Sequence, residues 1–547
     1  VISSLVRCTE LHALLAEFFR HVDGYMSSMT ARRLGFLASG VVVSACTIFD
    51  ERLPECTTHL ECTQWLTEEA SSNTPIAGHC LEPEGKCVPL LTKECARVTG
   101  DPLDPDSILI GSILTDEFRH LEPAILAVEE LDSAVAGGGI PRAGNQGRPR
   151  PLALLSCTES AADPLPAARH LIDTLRVPAV VGPDIDENAL DIVREVIAAR
   201  SANTVLMSPT SLIDDLGTLA DGQRMWRDVP SGSQLAPLVF MAYVDLEQTL
   251  RATKPNLKLG IVYRDDAFGQ NAIAQISERA LFNGKPLVDP TNAGFVRIGK
   301  YARGDETSIR ALLSQYQGDP PDMMLLLGGV ESITDFMKPL ELALAAMIET
   351  SVPVSKPTYL LFESNKVTEL LELVDPKKTT GVPPDLRSRL WGVGFAPTAS
   401  AQPVYDSFRL AFANRFGHNP DGTGMGQAYD AIYAFASALA ATADEPVSGA
   451  SVAAGLTAMS TAAPGAGALR VGRLDALQIL SSFSVGAMPE VLGTFDELKW
   501  LPNGDFIGGR GEIWCVSVVN GSPYFASGSV SMDLRTRMVS GVRTPCE

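Results

Sequence analysis

From residue 107 onward the chain repeats a two-part phrase, and that repetition limits the fold more than anything else in the sequence. A short run rich in Val, Ile and Leu is followed by a longer amphipathic segment: SILIGSILT (107–115) then FRHLEPAILAVEELDSAV, LALLSC (152–157) then PAARHLIDTLR, PAVVG (178–182) then ENALDIVREVIAAR, and TVLMS (204–208). Short apolar runs of this kind read as buried strands, and the longer segments carry a helical period. Parallel strands need a crossover long enough to hold a helix, so the alternation predicts an α/β fold with parallel sheets covered by helices on both faces. The series is interrupted by RMWRDVPSGSQLAPLVFMAYV and then restarts as LKLGIVYRD (257–265), DMMLLLGG (322–329), TYLLFES (358–364) and LWGVGFAP (390–397). Two series predict two lobes, with WRDVPSG as the first crossover between them.

The first hundred residues follow another logic. ARRLGFLASGVVVSACT (31–47) sets two arginines before an apolar run that stops at Cys46. A charged start, a short apolar middle and small residues before a cut are the anatomy of a secretory leader; the competing reading is a buried strand through VVV. Val43-Ser44-Ala45-Cys46 resembles the bacterial lipobox, whose cysteine is acylated and becomes the first residue of the mature chain. A start at Met26 or Met29 would place the charged region correctly, and residues 1–45 are read as leader.

The sequence holds 10 cysteines. In an exported chain they read as disulfides before metal ligands. With Cys8 in the leader and Cys46 acylated, Cys56, Cys62, Cys80, Cys87, Cys95, Cys157, Cys515 and Cys546 remain, an even set whose pairing the sequence leaves open. Five of them fall within residues 56–95 without a C-x-x-C pair, which favours a stapled spacer over a zinc site. Because that group is odd in number, at least one member must pair outside it or stay free.

The order Val181-Gly182-Pro183, Ser208-Pro209, MWRDVPSGSQ, IVYRDDAFGQ (261–270), LLGG (326–329), FES (362–364) and Ala428-Tyr429-Asp430-Ala431 is similar to that of the type I periplasmic binding proteins, and within them to the leucine/isoleucine/valine-binding group. GTFDELKWLPNGDF (493–506) resembles that group's closing hairpin, and the resemblance spans about residues 106–530. It implies a two-lobed fold crossed three times by the chain, with a ligand in the cleft at the hinge. The expected domains are 1–45 as leader, 46–105 as lipid anchor and Cys-rich spacer, 106–234 plus 397–485 as the first lobe, and 235–396 plus 486–547 as the second.

Open α/β sheets bind ligands beyond the carboxyl ends of their strands. The candidate ligand-binding residues there are Phe118, Asp186, Ser208, Thr210, Ser211, Tyr263, Phe268, Val330 and Glu363. The resemblance implies an amino-acid carboxylate held by hydroxyls and backbone amides of the first lobe, its ammonium held by Glu363, and Phe268 as an aromatic cover. The chain departs from that pattern at Asp186 and Glu187, where the leucine binders have serines, and at SPTSL (208–212), where Leu212 replaces a threonine hydroxyl. Ala162 and Ile185 stand where the family has an early disulfide. Acids on facing loops suit a cationic or amide-bearing solute better than a branched-chain amino acid. Tyr429 and Asp430 read as helix-packing residues.

Enzyme signatures do not emerge. There is no G-x-S-x-G, P-loop, H-E-x-x-H or kinase motif, and GTGMG (422–426) opens a helix after a loop rather than after a strand. No cofactor or metal is expected. The formal net charge of -21 disfavours nucleic acid, and no later segment reaches the length of a membrane span. These readings converge on an expected periplasmic or cell-envelope solute-binding lipoprotein. Its partners would be a small-molecule ligand, the permease of an ABC-type importer and a membrane reached through the lipid anchor. The alternatives are a ligand-sensing regulatory module and a structural envelope lipoprotein.

Overall fold

The computed structural model describes residues 55–544 apart from 73, 82, 116–118, 135–137, 161, 201, 351–353, 443–445 and 462–467. The leader and the expected lipidation site at Cys46 lie outside the described residues. The chain divides into two compact units, Val1–Pro89 and Leu90–Glu547.

The first unit is a helix, His59–Glu69, on a two-stranded hairpin of β1 (Gly78–Leu81) and β2 (Lys86–Pro89). Thr58 caps the helix, its side chain accepting from Glu61 N at 3.1 Å, while Glu61 reaches back to Thr57 N at 2.8 Å. Gly78 lies so close to the helix that a Cβ there would fall 2.5 Å from Cys62 Sγ. So small a unit has little apolar core, and disulfides supply what burial does not. Cys56–Cys80 and Cys62–Cys87 form that core, with Trp65 and Leu66 packed against them.

The second unit holds two sheets. The first has the order β3-β5-β4-β6-β7-β8, built from β3 (Cys95–Thr99), β4 (Ile108–Leu114), β5 (Leu152–Thr158), β6 (Ala179–Val181), β7 (Val205–Ser208) and β8 (Met225–Arg227). All pairings are parallel except β3 with β5. Both faces of β4 are covered: Ile108, Ile110 and Leu114 share a core with Leu126 and Leu131 of the helix Leu121–Ala134, while Gly111 sits against Leu171.

The boundary expected at 105 falls instead at Pro89/Leu90, because Cys95–Thr99 finds the edge of this sheet. Cys95 faces Cys157 in register and the two are disulfide-bonded. Cys95 is thus the member of the odd group that pairs outside it. Cys515 is disulfide-bonded as well.

In the second sheet the order is β12-β9-β13-β14-β15-β18-β19-β20. Its parallel part is β9 (Leu259–Arg264), β12 (Val296–Tyr301), β13 (Met323–Leu327), β14 (Thr358–Leu361) and β15 (Leu390–Ala396). The short pairs β10 (Leu281–Phe282) with β11 (Lys285–Pro286) and β16 (Leu469–Arg470) with β17 (Val491–Leu492) lie apart from it. β18 (Arg510–Val519), β19 (Ser522–Asp533) and β20 (Val539–Ser540) extend the sheet antiparallel. The two glycines of LWGVGFAP have separate reasons. A Cβ at Gly392 would fall 1.9 Å from the Trp514 ring, and one at Gly394 would fall 2.0 Å from Glu363 Oε2.

The chain crosses from the first sheet to the second after β8, into the helix Gly232–Arg251. It returns after β15 into the helix Gln402–Phe416 and crosses a third time at Gly508 and Gly509 before β18. The sequence reading put this last crossing at 485. It falls later because Trp500 remains with the first lobe, edge-on to Trp226 at 5.7 Å with its indole N–H donating to Arg227 O at 3.0 Å. Isolated bridges Leu492–Glu497 and Trp500–Phe506 make the hairpin-like tail.

Candidate functional site

The loops that leave the carboxyl ends of the strands meet between the two lobes. They enclose a recess of about 590 Å³, part of it open to solvent. Asp184, Ile185, Asp186, Thr210, Leu212 and Val229 line it from the first lobe, and Arg264, Phe268, Arg303, Gly329, Glu363 and Ser364 from the second. Thr423, just before the helix Met425–Ala441, completes the wall. An apolar groove between the helices Gly232–Arg251 and Ala267–Arg279 adjoins the recess and shares Leu212, Phe268 and Glu363 with it.

Most charges on these walls are already matched. Asp184 accepts from Thr115 N at 2.8 Å and Thr115 Oγ1 at 3.0 Å, and its other oxygen lies 2.8 Å from His120 Nδ1. His120 Nε2 lies 2.5 Å from the Thr423 carbonyl, which can only accept. An imidazole that donates from both nitrogens is an imidazolium. Burial opposes that charge, but the Asp184 carboxylate outweighs it, and the pKa of His120 is raised. Glu159 underlies the same turn, accepting from Asp184 N at 2.7 Å and Ile185 N at 3.0 Å. Burial, aided by the Asp184 charge, pushes its carboxyl well up.

Glu187 reaches across the cleft and accepts from Ala267 N, at the start of the helix Ala267–Arg279, at 2.7 Å. Asp266 caps that helix through Gly269 N at 2.9 Å and also pairs with Arg264. Arg264 is paired a second time with Glu331 at 3.3 Å, and Tyr301 donates to the same Glu331 oxygen at 2.7 Å. Gly328 makes room for this cluster, since a Cβ there would lie 1.9 Å from the Tyr301 hydroxyl.

Asp186 stands apart from these sets. Ser211 Oγ donates to its Oδ1, and no described residue donates to Oδ2. Burial pushes its pKa up to about 6, against the Ser211 hydrogen bond and Arg264, with Glu187 and Asp266 adding to the rise. Arg303 is the other exception. The one carboxylate within 4 Å of it among the described residues is Asp266, at 3.8 Å, and its buried Nε has no acceptor.

Of the residues singled out in the sequence, Asp186, Thr210, Phe268 and Glu363 line the recess. Ser208 and Ser211 do not line it: both are buried, and Ser208 Oγ donates to Pro183 O at 2.7 Å and accepts from Ser211 N at 3.0 Å. Tyr263 and Val330 do not line it and pack instead against the two apolar cores. Phe118 lies outside the described residues. Both Glu363 oxygens are occupied, Oε2 by Phe395 N at 2.8 Å and Lys366 Nζ at 3.3 Å, and Oε1 by the Thr423 hydroxyl at 2.6 Å. Asp430 accepts from Thr494 N and Oγ1 at 2.7 and 2.8 Å, away from the recess.

Arg264, Arg303 and Thr423 also line the recess and were not singled out in the sequence. Arg264 follows the candidate Tyr263 by one residue in IVYRDD, which is a signal that could have been used. Arg303 follows β12, a half-exposed edge strand whose alternation is weak, and YARGDE reads as an ordinary surface turn. Among the described residues, no group of three or more His, Cys, Asp or Glu is placed to hold a metal ion, and no helix is long and apolar enough to cross a membrane.

No protein-family model and no curated protein matches this sequence. Solved structures do match. The branched-chain amino acid transporter substrate-binding protein LivJ from Streptococcus pneumoniae, in complex with isoleucine, aligns over 77% of this chain and 99% of its own at 14% identity and a TM-score of 0.50. A solute-binding protein of an ABC transporter from R. palustris, in complex with benzoate, aligns over 81% of this chain and 99% of its own at 12% identity and a TM-score of 0.50. The fold is that of the type I periplasmic binding proteins. The strand-end recess of this chain lies between the two lobes, beside the crossovers.

Proposed function

We propose that this protein is an extracytoplasmic solute-binding protein that captures a small polar solute by closure of its two lobes and presents it to an ABC-type importer. The observation that carries this reading is the recess walled by Asp186 and Thr210 from one lobe and by Phe268, Arg303 and Glu363 from the other. A solute touching both walls selects the closed form, because only that form makes both sets of contacts. The solved structures of the same fold named above hold isoleucine and benzoate, which supports a small organic solute here. Anchoring through an acylated Cys46 is carried by the sequence alone.

The test is a thermal-unfolding screen of the protein against amino acids, amides, polyamines and small carboxylates. A solute present at about 100 times its dissociation constant stabilises the fold by about 2.7 kcal/mol. A shift confined to one chemical class is the expected result, and an unchanged transition across all classes overturns the reading.

A further inference from the structure

We propose that the recess takes a solute bearing both an ammonium and a carboxylate, with the ammonium against Asp186 of the first lobe and the carboxylate against Arg303 of the second. This orientation is the reverse of the one the family resemblance implies, in which Glu363 of the second lobe holds the ammonium. The inference rests on the solute-binding reading above.

The other charges at the cleft already have their partners. Asp184 is held by His120 and Thr115, Glu187 by Ala267 N, and Arg264 by Asp266 and Glu331. Glu363 has its own cation in Lys366 and two further donors in Phe395 N and Thr423, so an incoming ammonium there would compete with bonds already made. Two opposite charges on opposite lobes are left incompletely matched. Asp186 has an oxygen to which no described residue donates. Arg303 has a buried Nε without an acceptor, and Asp266, its carboxylate neighbour at 3.8 Å, already serves Arg264.

A buried donor or acceptor left unmade costs more than a made hydrogen bond returns, and charge-assisted bonds are the strongest available. A zwitterionic solute supplies both missing partners at once, and in doing so it joins the lobes. A solute with one charge completes only one side.

The test uses the full chain and a panel of L-amino acids, the amines left by removing their carboxylates, and the acids left by removing their ammonium groups. Affinities are measured by calorimetry, with the ligand-free thermal transition of each variant as the check on folding. The expected results are tightest binding of a zwitterion, a loss of tenfold or more for that zwitterion in Arg303→Gln with the matching amine unchanged, and the complementary pattern in Asp186→Asn. Arg303→Met, which keeps the stem and removes the charge, stands in if the glutamine variant loses its cooperative transition. If Glu363→Gln abolishes binding while the Asp186 and Arg303 variants stay within twofold of wild type, the orientation is overturned and the solute reading stands. Binding of amines alone or of acids alone also overturns it. If no member of the panel binds the wild-type protein, the orientation and the amino-acid form of the solute reading fall together.

Discussion

Asp186 is a carboxylate whose surroundings disfavour its charge, and this has a sign that can be measured. Its ordinary pKa is 3.8, and in the fold burial moves it to about 6. Between those values the native state holds a proton that the unfolded chain has released, so stability falls as pH rises from about 4 to about 6, by at most about 1.4 kcal/mol per pH unit. Glu187 and Asp266 face it and deepen the effect, while Arg264 and Ser211 oppose it. Asp186→Asn is expected to flatten the change in melting temperature between pH 4.5 and 6.5 relative to wild type, and an unchanged slope would refute the assignment. The slope is not expected to vanish, because burial also raises Asp228 and Asp430 at the first crossover and the Met425–Ala441 helix. Asp186 and Glu363 were legible in the sequence because acids just past apolar runs fall at strand ends. Their availability was not legible, since Lys366, Phe395 and Thr423 converge on Glu363 only through the fold.

At the scale of elements, the third crossover depends on its glycines. Gly508 has φ 116, and a Cβ there would lie 2.3 Å from Asp496 Oδ2 and 2.7 Å from Arg535 Nε. Asp496 in turn accepts from Gly509 N at 2.7 Å and pairs with Arg535 at 3.2 Å. Gly486 provides the control, with φ 78 and nothing within 4 Å of its hypothetical Cβ. Both alanine variants carry the backbone penalty of a left-handed residue, about 1–3 kcal/mol, and only Gly508→Ala adds the clash. Its midpoint in urea is therefore expected to fall clearly further than that of Gly486→Ala, and equal losses would show that the crossover is not constrained. The parallel strands were legible because continuous Val, Ile and Leu runs mark strands buried on both faces. β3 and β12 were not, since CARVT and VRIGKY sit at sheet edges and are largely half-buried or exposed. The third crossing was misplaced for a different reason: nothing in the local pattern tells that Trp500 packs with Trp226, 274 positions earlier in the chain.

At the scale of the molecule, the two units derive their stability from different sources. The second has large apolar cores, whereas the first relies on two disulfides closing loops of 24 and 25 residues. Each such link is worth about 3 kcal/mol in the chain-entropy account. Replacing Cys62 and Cys87 by alanine is expected to expose residues 55–89 to limited proteolysis while leaving the main thermal transition in place. A matching fall in that transition would show that the units do not melt separately.

The bond from Glu187 to the first backbone N–H of the helix Ala267–Arg279 joins the two lobes, as does the one from Thr423 to Glu363. In the proposed closure these two bonds belong to the shut form and stabilise it whatever solute lies between the lobes. Under the proposed function, a solute enclosed by the lobes leaves only as often as those two clasps let go.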